Sequence, residues 1–277
     1  MHKILTALGL AAVAVMMIAA FPRIQVDNGR ILVTDGKIQF AAAVIKTNAV
    51  WYDGSSGRGT GSNPNIFHDN ISQSWTLNFW VNTANTDYYQ PMISKGTSVG
   101  PARWKIDHRD ATHVWLFYND GSPKEIYHGM TATINDGTWH MITLAHQPGA
   151  ADTNWFWYFD GTFKTLEAGL NQSPVDSAIT NYPFNFGFGV ESSTYWGGTI
   201  DEFGFWNRTL NSNEVATLWN SGVGVYGNVA NAPFNDSFAS GYHFDEGTGT
   251  NFASFGENTA GTLTGTIAWS NGIPVGN

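Results

Sequence analysis

The stretch GTIDEFGFWNRTLNSNEVATLWNSG, Gly198 to Gly222, reads as one strand followed by one short helix. The strand half is apolar and aromatic and carries two adjacent carboxylates, Asp201 and Glu202. Successive side chains of a strand point to opposite faces, so this pair is expected to split across the sheet. A glycosidase needs two carboxyl groups about 5 to 9 Å apart on either side of one sugar bond. Adjacent strand residues do not meet that requirement, and Asp245-Glu246 fails it for the same reason. In the helix half, Asn211 serves as N-cap with Glu214 at the third helical position, the pattern of a capping box. Val215, Leu218 and Trp219 follow at helical spacing, and Gly222 suits a left-handed C-cap. One short helix beside a sheet is expected only to pack.

Working outward, most of the chain has strand texture. In WTLNFWVNT, residues 75–83, Trp75, Leu77, Phe79 and Val81 alternate with Thr76, Asn78, Trp80 and Asn82. One apolar and one polar face predict a sheet packed on one side only. Further strands recur as YYQPMISKG, RWKIDHR, HVWLFYND, EIYHGM, TWHMITLAHQ, NWFWYFDG and FNFGFGV, separated by turns such as Asp120-Gly121, Asp136-Gly137 and Asp160-Gly161. Many short strands with frequent turn signals predict an all-β sandwich or barrel.

The composition agrees. In 277 residues, charged side chains make up 13%, aromatic ones 14%, and there are 31 glycines. With no cysteine, disulfides and thiolate chemistry are excluded. The net charge of −9 comes without any Lys/Arg cluster, which argues against nucleic acid as a partner.

Residues 1–23 form a separate segment. After Met-His-Lys, residues 4–21 are uncharged and apolar, ending before Pro22-Arg23. As a helix they would span roughly 27 Å, near the bilayer core of about 30 Å. A cleaved secretory signal and a retained N-terminal hydrophobic helix anchoring the chain to a membrane both fit. Either reading makes the remainder exported or displayed: extracellular, or on a virion surface. Residues 24–43 follow as a small β-meander with Asn28-Gly29 and Asp35-Gly36 turns. A sandwich over 44–222, a Gly/Asn/Ala/Pro-rich linker over 223–240 and C-terminal strands over 241–277 complete the expected organisation.

Taken in order, WTLNFWVNT, MISKG, DGTWHMITLAHQ, NWFWYFDG and GGTIDEFGFWNRTLNSNEVATLWNSG resemble the successive strands of laminin-G-like domains in the concanavalin A-like lectin/glucanase superfamily. The resemblance covers residues 44–222. It implies an antiparallel jelly-roll β-sandwich in a family of mostly non-catalytic modules that bind glycans or proteins or decorate surfaces and virions. The tail GYHFDEGTGTNFASFGENTAGTLTGTIAW resembles the segment that normally opens such domains, yet here it comes last. Two explanations stay open: the tail closes its own sandwich by circular permutation, or it is exchanged with a neighbouring subunit of a homo-oligomer.

The related glucanases carry Glu-x-Asp-x-x-Glu on one strand, and no such string occurs here. Relatives hold a structural calcium with an aspartate matching Asp201, which makes Asp201 the first metal candidate and Asp53 in WYDGSS the second. The alternative is that Asp201 bonds backbone amides. The eight histidines show no zinc spacing, and His140 reads as a packed strand residue. The positive signal is aromatic, because flat rings stack on sugars. Tyr195-Trp196 in a Gly-Ser loop, Trp80 on the polar side of its strand and Trp104 near a turn are the ligand-binding candidates; the alternative for each is core packing. The leading expectation is therefore a non-enzymatic, surface-displayed module recognising a surface glycan or polysaccharide. A structural spike, decoration or filament subunit comes second, and a glycoside hydrolase third.

Overall fold

A computed structural model of the protein describes residues 23–27, 30–34, 45–61, 71–96, 103–119, 125–171, 182–190, 193–225, 234–256 and 260–275. The N-terminal apolar segment and the third strand of the expected meander lie outside these residues. The chain divides into two units, residues 1–45 with 276–277, and residues 46–275. In the first, β1 (Arg23–Asp27) and β2 (Arg30–Thr34) pair antiparallel with Asp27 opposite Arg30. Two residues, Asn28-Gly29, lie between them in the sequence.

The second unit holds the remaining strands. In chain order they begin with β3 (Ile45–Asp53), β4 (Arg58–Thr60), β5 (Trp75–Asn82), β6 (Gln90–Gly96), β7 (Arg103–Asp110), β8 (His113–Asn119) and β9 (Glu125–Thr131). Next come β10 (Trp139–His146), β11 (Trp155–Phe159), β12 (Thr162–Lys164), β13 (Glu167–Asn171), β14 (Phe184–Phe186), β15 (Phe188–Gly189), β16 (Thr194–Tyr195) and β17 (Gly197–Trp206). Helix α1 (Ser212–Trp219) precedes β18 (Phe238–Tyr242), β19 (Asn251–Phe252), β20 (Phe255–Gly256), β21 (Gly261–Thr264) and β22 (Ile267–Val275). One nine-stranded sheet runs β12-β11-β10-β5-β17-β18-β20, with β3 also on β17 and β22 on β3. The other runs β13-β9-β8-β7-β6-β14-β4-β21-β19. Their ladders are antiparallel.

The core between the sheets follows the alternation in the sequence. Trp75, Leu77, Phe79 and Val81 of β5 meet Trp104, Ile106, Leu116, Tyr118, Phe184 and Phe186 of the facing sheet, all buried. Strands of the tail enter both sheets: β18 pairs β17, β22 pairs β3, and β21 pairs β4.

The expectation of a sheet packed on one side only is corrected. The other face of β5 is covered by a second apolar cluster of Trp80, Met141, Tyr158, Trp206, Val215, Leu218 and Phe234. Helix α1 brings Val215 and Leu218 onto that face, and Trp219 stacks on Trp80 at 4.9 Å and 18°. The polar residues of β5 hold this layer in place. The Thr76 hydroxyl donates to Arg208 O at 2.8 Å and accepts from Leu210 N at 2.9 Å, while Thr143 donates to Asn78 at 2.6 Å. The capping box at Asn211 and Glu214 forms as the sequence predicts. The left-handed C-cap falls on Asn220 (φ 43°), earlier than Gly222. The stretch 223–240 is not linker throughout: Phe234 is buried and its carbonyl accepts from the Trp206 indole at 2.8 Å.

Candidate functional site

The two carboxylates of the opening stretch sit where the sheet branches. Along one edge of β17, Gly197–Ile200 pair with β3, and Phe203–Trp206 pair with β18. Asp201 and Glu202 occupy the gap. Against β5 the register shifts between Asp201 and Gly204, and Glu202 has a φ of 47°, the geometry of a bulge. Ile200 and Phe203 both point into the core, so the two residues between them share the outer face. This corrects the expectation that Asp201 and Glu202 face opposite ways. Catalysis is still not served, because both side chains are enclosed, 0% and 6% exposed.

Their partners are parts of the fold. Asp201 accepts from Ile273 N at 2.9 Å and Glu202 N at 3.0 Å, with the Thr47 hydroxyl at 3.4 Å. Glu202 Oε2 lies 2.7 Å from His243 Nδ1. Burial pushes both carboxyl groups well above the usual range, and the nearby Asp245 adds to the effect. Calcium wants several oxygens converging on one point. Asp201 instead turns its oxygens to N–H donors. Among the described residues, no three His, Asp or Glu side chains are arranged to hold a metal. Asp53 fits no better. Its oxygens accept from the amides of Ser55, Ser56 and Gly57 at 2.8 to 3.0 Å and from the hydroxyls of Ser55 and Ser56, closing its own turn. At both expected calcium ligands the carboxylate oxygens are thus turned to the chain's own N–H and O–H groups.

Three of the expected stacking aromatics are corrected. Trp80, Trp104 and Trp196 are 1%, 1% and 0% exposed and offer no face to a ligand. Trp80 lies under Trp219, and Trp104 packs edge-on to Phe184 at 5.6 Å inside the sandwich. Trp196 backs onto Gly198, where an added Cβ would come within 2.9 Å of its ring. Tyr195 is partly buried against Phe188, 5.1 Å between ring centres.

Among the described residues Trp51 is the most open tryptophan, 40% exposed, while Tyr88, Tyr89 and Phe163 are also exposed. On β3, Val50 and Tyr52 enter the core, which leaves Trp51 on the outer face. It borders a cleft of about 280 Å³ lined by Asn82, Thr83, Asn85, Gly198 and Thr199 among others. The floor is Gly197-Gly198, fixed by Thr83 Oγ1 donating to Gly197 O at 2.6 Å and Gly197 N donating to Gln90 Oε1 at 3.0 Å. Only glycine fits there: a Cβ on Gly198 would stand 2.8 Å from Asn82 O. The polar wall follows from strand pairing, since Trp51 lies opposite Thr199 and Thr199 opposite Asn82. Among the described residues, the Thr199 hydroxyl and Asn82 Oδ1 have no protein hydrogen-bond partner. An aromatic face beside a few convergent polar groups is the usual form of a small-molecule site.

A sequence profile of the concanavalin A-like lectin/glucanases superfamily matches residues 53–216, more than half of the chain. The chain belongs to this superfamily. Among solved structures, it resembles a Bacteroides ovatus protein provisionally described as carbohydrate binding, at 14% identity and a TM-score of 0.56. The match covers 88% of this chain and 68% of that one. A Ruminococcus gnavus sialidase CBM40, bound to α2,3-sialyllactose, matches at 13% identity and a TM-score of 0.46, over 64% of this chain and 98% of that one. Mouse laminin α1 domains LG4-5 match at 10% identity and a TM-score of 0.45, over 64% and 46%. At these identities the likeness concerns the fold. No curated protein sequence matches the chain. The superfamily joins lectins with glucanases, so the choice between binding and hydrolysis falls to the chain's own residues. Among the described residues no helix is long and apolar enough to cross a membrane.

Proposed function

We propose that this superfamily member is an exported, non-catalytic module that binds a glycan in the Trp51 cleft. The observation that carries the reading is an exposed indole beside Asn82 Oδ1 and the Thr199 hydroxyl, neither with a hydrogen-bond partner among the described residues, over a glycine floor. An indole supplies a broad apolar face to a sugar ring at little entropic cost. The amide and hydroxyl beside it match the donors and acceptors of sugar hydroxyls. The carbohydrate binding provisionally described for the Bacteroides ovatus protein supports the reading. Export rests on the apolar run at residues 4–21. The absence of catalysis rests on the enclosure of Asp201 and Glu202.

The test is affinity electrophoresis and calorimetry against a panel of soluble polysaccharides, comparing wild type with Trp51→Ala. Retardation by at least one polysaccharide, lost in the variant, is expected. Silence across the panel, or binding unchanged by Trp51→Ala, overturns the reading.

A further inference from the structure

The cleft continues as a row across the sheet. Trp51 on β3 is opposite Thr199 on β17, Thr199 opposite Asn82 on β5, and Asn82 opposite Trp139 on β10. Directly opposed residues of an antiparallel ladder put their side chains on one face. That face is the outer one throughout, since Val50, Tyr52, Ile200 and Val81 fill the core. Trp139, half-buried, rests against the outer cluster. Two indoles thus flank two polar side chains over three strand spacings, about 14 Å. This exceeds one sugar ring and matches a short oligosaccharide.

The charge of the row is equally informative. The cleft lining contains no Lys, Arg or His. Its Tyr52 phenol is held neutral by burial, and its one acidic residue is Asp53. Burial opposes ionisation there, but hydrogen bonds from Ser55, Gly57 and Ser56 outweigh it and hold the carboxyl well below the usual range. Within this lining an anionic sugar would find no counter-charge and one fixed negative charge.

Building on the glycan-binding reading, we infer that the ligand is an uncharged linear oligosaccharide lying across β3, β17, β5 and β10. Trp51 and Trp139 stack its two ends, and Thr199 and Asn82 bond the units between. A short ligand then reaches Trp51 alone, and a longer one gains the second platform.

The experiment is calorimetry with cello-, malto- and manno-oligosaccharides of two to six units, and with 3′-sialyllactose as the anionic probe. Wild type is expected to bind one neutral series, with affinity rising roughly five- to tenfold once the chain spans both indoles. Sialyllactose is expected to bind no better than a neutral trisaccharide. Trp139→Ala should erase the gain with length and leave the shortest ligand unaffected, while Trp139→Phe should restore part of it. Trp51→Ala should abolish binding at every length. If Trp51-dependent binding is found but its length gain survives Trp139→Ala, or sialyllactose is preferred, this inference falls and the glycan-binding reading stands. If no glycan of either kind binds, both fall.

Discussion

Glu202 Oε2 and His243 Nδ1 lie 2.7 Å apart and join the last core strand to the tail. His243 also stacks on Phe255, with ring centres 3.8 Å apart and planes 5° from parallel. Burial raises the carboxyl well above its ordinary 4.5 and lowers the imidazole to about 3. Both shifts favour the neutral forms, with the carboxyl donating its proton to the ring nitrogen at acidic pH. A group with a raised folded value stabilises fully below its unfolded value, here 4.5, and loses that contribution as pH rises through the folded value. Glu202→Gln keeps a neutral donor to Nδ1 and cannot ionise. The variant should melt with wild type near pH 4 and about 2–4 °C higher near pH 8, worth roughly 1 kcal/mol. Thermal melts across that range check this; a variant less stable at pH 8 contradicts the neutral pair. Added calcium should leave both melting points unmoved, since the Asp201 oxygens are bonded to amides.

His128 gives acid sensitivity of the opposite sign. It is buried between the sheets and accepts from the Trp157 indole at 3.0 Å through Nδ1. Burial lowers its value to about 3, with a smaller contribution from His146. The unfolded chain takes up this proton near pH 6.5 and the folded protein resists it. The stability present above pH 6.5 should therefore drain away as pH falls toward 3. His128→Gln retains an acceptor for Trp157 without the titration. Denaturant midpoints from pH 7 to 4 should fall less steeply in the variant; parallel curves rule out His128 as the source.

His140 clamps two turns. Its Nδ1 is 2.9 Å from Asp160 and its Nε2 3.2 Å from Asp136, with the ring stacked on Phe159. Burial disfavours the charged ring, but Asp160 and Asp136 outweigh it and raise its value above 6.5. This contribution is complete below pH 6.5 and is lost as pH rises through the raised value. His140→Gln should therefore cost more stability at pH 6 than at pH 9. Equal losses at the two values would show that packing on Phe159, not charge, is what the residue contributes.

Much of this molecule was legible from local pattern. The alternation of Trp75, Leu77, Phe79 and Val81 gave the core face of β5, and Asn211 with Glu214 gave the helix start. Both depend on neighbouring residues alone. Asp201 and Glu202 were misread because a strand period assumes regular backbone, and the left-handed Glu202 breaks it where two strands meet one. For a different reason, the sequence pattern marks Trp80 as a ligand face and does not single out Trp51. Each follows an inward residue and each faces outward, so alternation treats them alike. What separates them is the helix, which covers Trp80 and stops short of Trp51, a long-range fact of packing. The wall of Asn82 and Thr199 likewise exists only through register between distant strands.

Those two tryptophans provide a paired test. Trp80 is 1% exposed and stacked beneath the helix, so Trp80→Ala removes a full ring from a closed cluster and should cost about 3–5 kcal/mol. The folded fraction should bind glycan with unchanged affinity, because the ring lies under Trp219 and not in the cleft. Trp51→Ala should do the reverse, with binding lost and stability changed by no more than about 1 kcal/mol, as for a partly exposed side chain. Urea melts and calorimetry on the same two preparations measure both quantities. Binding lost in Trp80→Ala protein shown to be folded would return the site to the helix side of the sheet. Binding kept in Trp51→Ala would remove it from the cleft altogether.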